Sequence, residues 1–380
     1  MSSTIPTGFV NSYVRPVTTG DPQADPAAEQ HLEQPVPRAL HSTRLRTLVA
    51  AATAVLAATT LAACGGGSDG SGAGGSGGSL SVVGYSIAKP SYDALEKAFS
   101  ATDAGKGVTF TSSFGASGDQ SRAVLNGQKA DYVNFSIEPD MTRLVPDLVS
   151  DDWNAGDTKG IVSETAVVFV VRPGNPKGIK GWDDLTKSGV QVVTPDPGSS
   201  GSAKWNILGA YAHAALANGS EDQASGEDYL KKLYANIVSK PESGSKATQT
   251  FLSGTGDVLL SYEAEAISTK AKGQDLDYVV PRDTLSIDTP GAVTKDSSDA
   301  AKAFLAYCLS ADGQKIFGEN GFRPLGGAEV TDVKGANDPA DPYPAIETLH
   351  TVDELGGWST VDKKFFGDDG IVTKIAADAS

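Results

Sequence analysis

From Leu80 onward, short apolar runs alternate with segments in which apolar residues recur every three or four positions. Each short run predicts a strand, and each periodic segment predicts an amphipathic helix. The predicted strands are 80–83, 108–111, 131–135, 166–171, 190–193, 258–262 and 278–280. The run 166–171 is apolar at every position, which is typical of a strand buried on both faces. Strands that alternate with helices predict an α/β fold with largely parallel sheets.

Three of the predicted helices follow loops rich in serine and glycine. In the clearest case, residues 194–206, Ser200 occupies the N-cap position and Gly201 and Ser202 begin the helix. The other two loops place Ser117 and Ser245 at helix starts. The first amides of a helix lack partners within the helix, and the helix dipole is positive there, so a helix start suits a small anion. Three ordinary capped helices are the alternative. A fourth segment, 225–228, predicts a capping box.

The first 63 residues have the pattern of a leader that ends in a secretory signal. Arg44 and Arg46 precede the apolar run 48–63, and small residues come directly before Cys64. Leu61-Ala62-Ala63-Cys64 resembles a bacterial lipobox, which implies cleavage before Cys64 and a diacylglycerol on its sulfur; a plain signal peptide with a chance cysteine is the alternative. Residues 64–79 are almost entirely Gly and Ser and predict a flexible, lipid-anchored tether. We therefore expect an extracytoplasmic protein held at the outer face of the cell membrane.

Composition excludes several classes of partner. The formal net charge of −16 argues against nucleic acid, because phosphate-backbone binding needs clustered Lys and Arg. Beyond the leader the histidines are His213 and His350, and neither has a Cys or His partner at metal-ligand spacing, so we expect no metal and no cofactor. Cys308 and Trp205 lie in apolar helical patterns and are predicted to be core residues.

The kind of donor in the three loops favours one kind of anion. Sulfate is fully deprotonated at neutral pH and only accepts hydrogen bonds, so it needs donors without acceptors. Hydroxyls and main-chain amides supply donors without burying an opposite charge. Phosphate keeps a proton near neutrality and favours a site with at least one carboxylate.

From Leu80 to the C-terminus the chain resembles the sulfate/thiosulfate-binding proteins that serve ABC importers. The stretches that carry this resemblance are 114–120, 172–177, 182–185, 194–206, 256–260 and 356–358. The resemblance implies a two-domain periplasmic-binding-protein type II fold, with a mainly parallel sheet flanked by helices in each domain and the ligand in the cleft between them. The domains it implies are 80–163 with 278–380, and 164–277.

The resemblance also implies a set of site residues. The family's first-loop serine matches Ser117, which would donate through its hydroxyl and amide. The family's Ser-Gly-Gly helix start matches Ser200, Gly201 and Ser202, with a serine in place of the second glycine. The remaining matches are the third-loop amide donor at Ser245, the indole donor at Tyr262, and Tyr85 after the first strand.

Two replacements affect the choice of anion. Tyr262 stands where the family has tryptophan, and its hydroxyl can accept a hydrogen bond as well as donate one. Asp119 stands where the family often has lysine; it is interpreted as a structural first-turn acid, with a phosphate-type acceptor as the alternative.

The sequence thus predicts a monomeric, lipid-anchored solute-binding protein that binds sulfate or thiosulfate and delivers it to an ABC permease and ATPase. It predicts no catalytic residues and no enzyme. The alternatives are a binding protein for phosphate or molybdate, a lipid-anchored serine hydrolase that uses Ser117 or Ser200, and a surface adhesion or sensing module. The hydrolase is disfavoured because neither serine lies in a Gly-x-Ser-x-Gly motif.

Overall fold

The computed structural model describes residues 78–378, which lie within one compact unit. The predictions for the leader, the signal peptide, Cys64 and the tether up to residue 77 fall outside the described residues. Within the described range, no helix is both long enough and apolar enough to cross a membrane.

The described strands form one ten-stranded mixed sheet. Their bounds are β1 Ser79–Tyr85, β2 Thr109–Gly115, β3 Tyr132–Asn134, β4 Ile161–Val171, β5 Val192–Val193, β6 Ile237–Ser239, β7 Val258–Tyr262, β8 Asp277–Val279, β9 Asp283–Val293 and β10 Thr348–His350. Each strand predicted from the apolar runs is present, with ends that differ by at most five residues. The α/β prediction is confirmed.

Helices follow most of the strands. Their bounds are α1 Lys89–Phe99, α2 Ser117–Leu125, α3 Glu138–Thr142, α4 Gly201–Ala215, α5 Gln223–Asn236, α6 Gly244–Leu252, α7 Glu263–Ala271, α8 Asp299–Leu309, α9 Ala311–Glu319, α10 Trp358–Val361 and α11 Ile371–Asp378. Short 3₁₀ turns lie at Ser86–Ala88, Trp182–Thr186, Leu325–Gly327 and Val352–Leu355, and a π-helical turn lies at Asp362–Phe366.

The sheet consists of two parallel groups joined by two long strands. The strand order is β2-β1-β3-β9-β4-β7-β5-β6, with β10 beside β9 and β8 beside β4. Strands β1, β2 and β3 are parallel to one another, as are β5, β6 and β7. The first part of β4 pairs antiparallel with β9 and its second part pairs antiparallel with β7. The last part of β9 pairs antiparallel with β3. The two long strands, paired with each other, therefore connect one parallel group to the other.

Strand β9 has no counterpart among the predicted strands. Its sequence includes Asp288, Pro290 and Gly291, residue types that are depleted in strands. Its main-chain hydrogen bonds to β3, β4 and β10 stabilise an extended conformation that these residue types do not favour by themselves. Tertiary pairing therefore outweighs local propensity in this strand.

The predicted capping box at 225–228 is wrong in its position. Helix α5 begins at Gln223, and its N-cap is Asp222, whose side chain accepts a hydrogen bond from the Ser225 N–H. The Ser225 hydroxyl also donates to Asp222, at 2.7 Å. An aspartate three residues upstream thus caps the helix in place of Ser225, because its carboxylate accepts both groups at once.

The two residues predicted to be core residues are buried. Cys308 is fully buried in α8, and burial raises the pKa of its thiol. Trp205 is also fully buried, and its ring packs edge to face on Trp358, with 4.7 Å between the ring centroids. The Trp205 indole N–H donates to the Ser136 carbonyl at 2.7 Å, which connects the core to the loop after β3.

Candidate functional site

A small cavity lies where the carboxyl ends of the parallel strands from both groups meet. Its volume is about 10 Å³, so its walls lie close together. Ligands of open α/β sheets lie at this edge because the loops that leave the strands gather there. The lining residues are Tyr85, Ser86, Ile87, Gly115, Ala116, Ser117, Ser136, Ser200, Gly201, Ser202 and Gly244. None of them is charged, and apart from the apolar side chains of Ile87 and Ala116 they present hydroxyls and main-chain groups.

Three helices begin at this cavity. Helices α2, α4 and α6 start at Ser117, Gly201 and Gly244, and all three residues line the cavity. Their first-turn amides have no partner within the helix, and the three helix dipoles place positive charge at the same location. The convergence that the sequence could only suggest is present in the fold.

The hydroxyls at the start of α4 bond to each other. Ser200 is the N-cap residue, as predicted, but its side chain makes no bond to a main-chain N–H. Ser200 Oγ lies 2.9 Å from Ser202 Oγ, and both side chains are buried. Because two hydroxyls that share one hydrogen bond retain one unused proton, the pair can still donate to a ligand.

The hydroxyl of Ser117 bonds away from the cavity. It donates to Asp140 Oδ2 at 2.6 Å and accepts the Ser136 N–H at 2.9 Å. Asp140 is buried, and its other oxygen accepts from Arg143 Nη1 at 2.8 Å. Ser117 therefore offers its main-chain N–H to the cavity, while its hydroxyl proton is directed at a buried carboxylate.

Ser245 and Tyr262 lie next to the cavity but do not line it. The Ser245 N–H donates to Ser86 Oγ at 3.4 Å. Burial raises the pKa of Glu265, and the hydroxyls of Thr248 and Ser245 beside this carboxylate act in the opposite direction. Tyr262 is fully buried, and its hydroxyl lies 2.5 Å from Ser136 Oγ.

Tyr85 lines the cavity, as the resemblance suggested. Its ring meets that of Tyr262 edge-on, with the centroids 6.3 Å apart. Its hydroxyl is buried beside the Ser163 and Thr289 side chains but makes no hydrogen bond of normal geometry in the part of the chain that the structure describes. Burial raises the pKa of Tyr85, so the phenol stays neutral.

Close contacts join the two parallel groups of strands across the cavity. The Gly118 N–H, in α2, donates to the Ser199 carbonyl, before α4, at 3.0 Å. A Cβ on Gly201 would lie 2.6 Å from Ser136 Oγ, and a Cβ on Gly244 would lie 2.5 Å from Ile87 Cδ1. A Cβ on Gly201 would also lie 2.7 Å from Ser136 Cβ, so glycine is required there, whereas a Cβ on Gly244 meets the end of the flexible Ile87 side chain.

The charged and titratable residues that the sequence singled out lie elsewhere. Asp119 pairs with Arg122 at 2.5 Å on the surface. His213 Nδ1 lies 2.6 Å from Asp283 Oδ2, and His350 Nδ1 lies 2.8 Å from Glu354 Oε2. Neither histidine lines the cavity, so neither serves as a base for Ser117 or Ser200. In residues 78–378, no group of three or more Cys, His, Asp or Glu could hold a metal ion.

Sequence reasoning missed Ser136, Ser86 and Gly244 as cavity residues. Gly244 could have been found, because it begins the same Ser/Gly-rich helix start as Ser245. Ser86 directly follows β1, and Ser136 lies two residues after the end of β3. Their position at the carboxyl ends of parallel strands was the available signal.

The family to which the chain belongs follows from comparison with known proteins. Residues 80–323 match the family model described as "Bacterial extracellular solute-binding protein". The chain belongs to this family. Among its relatives, the sulfate-binding protein of Synechococcus elongatus is 36% identical over 347 residues, which is 88% of this chain and 97% of the relative. The thiosulfate-binding protein of Pseudomonas aeruginosa is 31% identical over 308 residues, 77% of this chain and 90% of the relative.

A solved structure agrees with these relatives. The sulfate-binding protein SubI from Mycobacterium tuberculosis is 43% identical and superposes with a TM-score of 0.71, covering 76% of this solute-binding protein and 99% of SubI. The predicted resemblance and the periplasmic-binding-protein-like fold are thereby confirmed. The relatives are binding proteins, which confirms the prediction of a binding protein in place of an enzyme.

Proposed function

We propose that this solute-binding protein binds sulfate or thiosulfate in the cavity at the starts of α2, α4 and α6 and delivers it to an ABC permease. The observation that carries the proposal is the uncharged cavity onto which three helix N-termini converge. An anion there is held by partial charges and hydrogen-bond donors, with no cationic side chain among the lining residues. The names of the relatives, sulfate-binding and thiosulfate-binding, support this ligand class.

In this proposal the residues at the three helix starts supply the hydrogen-bond donors. Ser117, Gly201 and Ser202 donate through main-chain amides, and the Ser200–Ser202 pair donates its one unused hydroxyl proton. The third helix start, Gly244 and Ser245, supplies the amide that the resemblance assigned to Ser245. Tyr85 closes the wall beside the anion, and Tyr262 supports it from behind. A fully deprotonated anion satisfies all of these donors, whereas an added proton on the anion would face a donor.

A protonated oxyanion such as hydrogen phosphate is the second candidate, and Asp140 is the observation that favours it. The buried Asp140 carboxylate accepts the hydrogen bond of the Ser117 hydroxyl, and of the two lone pairs on Ser117 Oγ one accepts the Ser136 N–H, which leaves one unused. A lone pair accepts the proton of hydrogen phosphate but not that of sulfate, which has none.

We further propose that residues 80–163 with 278–380, and residues 164–277, move as two domains over the ligand. Strands β4 and β9 support this division because together they join the two parallel groups: β9 pairs with β3, β4 pairs with β7, and the two long strands pair with each other. The close approach of Gly201 to Ser136 and of Gly244 to Ile87 supports a closed arrangement of the two domains. Bending of the two long strands would open it.

We also propose that a monomer is anchored to the outer face of the cell membrane by a lipid on Cys64, with the Gly/Ser tether up to residue 79 as spacer. The lipobox-like sequence before Cys64 supports this anchor. The family's extracellular location agrees with an extracytoplasmic protein.

Calorimetric titration with sulfate, thiosulfate, molybdate and phosphate at neutral pH tests the ligand class. We expect binding of sulfate or thiosulfate and a loss of about 10- to 100-fold in Ser200→Ala, the effect of one hydrogen bond to a charged group. The matched control is Ser91→Ala, which removes a buried hydroxyl that does not line the cavity. Binding of phosphate alone would contradict the sulfate proposal and support Ser117 Oγ, oriented by Asp140, as the acceptor of the phosphate proton.

A further inference from the structure

Ser136 is held at three points in the cavity wall. Its N–H donates to Ser117 Oγ at 2.9 Å, and its carbonyl accepts the Trp205 indole N–H at 2.7 Å. Its Oγ lies 2.5 Å from the Tyr262 hydroxyl. The residue is 1% exposed and lines the cavity. Both main-chain groups and the side-chain oxygen are therefore fixed by contacts within the protein.

One arrangement of the Ser136 and Tyr262 hydroxyl protons lets Ser136 donate a hydrogen bond to a ligand in the cavity. Burial raises the pKa of Tyr262 well above its ordinary value, so the phenol keeps its proton. In the described chain, Ser136 Oγ is the hydrogen-bond partner of the Tyr262 hydroxyl. If Tyr262 donates to Ser136 Oγ, both buried oxygens are satisfied, and the Ser136 proton remains free to point into the cavity.

We propose that Ser136 is a direct anion-binding residue and that Tyr262 is a positioning residue that acts on the ligand through Ser136. This inference rests on the proposed function, because it takes the cavity to be the oxyanion site. Ser136 thereby supplies the side-chain donor that the resemblance placed at Tyr262.

The position of the two side chains supports this division of roles. Ser136 Oγ lies beside the start of α4, close enough that a Cβ on Gly201 would be 2.6 Å away. Tyr262 is fully buried and does not line the cavity, and Ser136 lies between the Tyr262 hydroxyl and the cavity. The short Ser136 side chain in the cavity wall, supported from behind by Tyr262, thus takes the place of a longer side chain at position 262 that would reach the anion itself.

A double-mutant cycle tests the proposal. Sulfate affinity is measured by calorimetry for the unmodified full chain, Ser136→Ala, Tyr262→Phe and the double variant. We expect Ser136→Ala to lose about 10- to 100-fold, the effect of a hydrogen bond to a charged group. We expect Tyr262→Phe to lose less than Ser136→Ala, and the double variant to bind as weakly as Ser136→Ala, because the Tyr262 effect requires the Ser136 hydroxyl.

Thermal unfolding distinguishes binding from structural support. Ser136→Ala leaves the Tyr262 hydroxyl buried without a partner, so its Tm should fall by about 2–6 °C. The double variant removes both hydroxyls, so its Tm should recover towards that of the unmodified chain while its sulfate affinity stays low. A merely structural role for Ser136 would restore affinity together with stability.

Matched controls are available within the same fold. Tyr92→Phe removes a buried tyrosine hydroxyl that bonds to the Tyr132 hydroxyl at 2.7 Å outside the cavity, and Ser91→Ala removes a buried serine hydroxyl. Both should leave sulfate affinity within about twofold, since neither residue lines the cavity.

The outcomes separate the two proposals. If the unmodified chain binds sulfate and Ser136→Ala binds it equally well, the role of Ser136 is overturned and the proposed function stands. If Tyr262→Phe loses as much as Ser136→Ala and the losses multiply, Tyr262 contacts the anion directly and its positioning role is overturned. If the unmodified chain binds none of the four anions, the proposed function fails, and the role of Ser136 fails with it.

Discussion

At the scale of single residues, the cavity depends as much on the absence of a side chain at Gly201 as on the hydrogen-bond donors of its serines. Gly201 was predicted to contribute a main-chain amide at the start of α4. The fold adds a steric requirement, because a Cβ there would lie 2.6 Å from Ser136 Oγ and 2.7 Å from Ser136 Cβ. Since no real Cβ contact is this short, one wall of the cavity would have to move to admit a methyl group.

Gly201→Ala should therefore weaken sulfate binding by at least tenfold, since the start of α4 can no longer approach Ser136. The amide itself is retained, so a loss reports the steric effect. Gly156→Ala is the control, because a Cβ on Gly156 would meet no atom within 4 Å. Calorimetry on both variants decides the matter, and unchanged affinity in Gly201→Ala would show that the two walls need not approach each other.

At the scale of elements, the two long strands place two carboxylates opposite each other. Glu164 of β4 and Asp288 of β9 are direct cross-strand partners. Burial, and then the neighbouring Asp288, raise the pKa of Glu164 to about 7, while Arg323 acts in the opposite direction. Burial likewise raises the pKa of Asp288, with the Ser286 and Glu164 side chains opposing it and Asp353 adding to it.

This pair should make stability depend on pH between the ordinary pKa of glutamate and about 7. Because the folded-state pKa is raised, the stabilisation is complete at low pH and is lost as the pH rises through about 7. Glu164→Gln carries no such charge, so at pH 8 it should be more stable than the unmodified chain by about 1–2 kcal/mol, allowing for solvent screening. At pH 4 the two should differ little.

Thermal unfolding at the two pH values measures this difference. Glu319→Gln, at an exposed position near Lys315, is the control and should change little at either pH. Equal Tm differences at pH 4 and pH 8 would mean that Glu164 does not titrate between them.

At the scale of the whole molecule, ligand binding should stabilise both parallel groups of strands together. The cavity takes residues from the loops of both groups, and the described chain is one compact unit. A ligand that binds only the folded state adds RT ln(1 + [L]/Kd) to the free energy of unfolding.

At a sulfate concentration 100 times Kd, stability should rise by about 2.7 kcal/mol, and the Tm by about 5 °C or more. Calorimetric unfolding should show one transition that moves as a whole. Ser200→Ala at the same sulfate concentration should show a much smaller shift. Two separate transitions, with only one of them sensitive to sulfate, would contradict cooperative closure of the two groups over the ligand.

The sequence by itself determined most elements of the fold and two of the three helix starts in residue detail. The apolar runs at 80–83, 166–171 and 258–262 predicted strands, because a short apolar run is a local signal of a buried strand that does not depend on which strands pair with it. The Ser200-Gly201 and Ser117 helix starts could be read locally, because capping and glycine preferences act over three or four residues. The family followed from motifs in their order along the chain.

Only the tertiary structure decided that β9 forms, which partners Ser136 contacts and where the Ser117 hydroxyl points. Strand β9 contains Asp, Pro and Gly and forms because β3 and β4 lie on either side of it. Ser136 meets partners 19, 69 and 126 residues away along the chain, at Ser117, Trp205 and Tyr262. The Ser117 hydroxyl bonds to Asp140, 23 residues away. Hydrogen bonds between distant segments have no local sequence signal, because they depend on how the strands are arranged in the sheet.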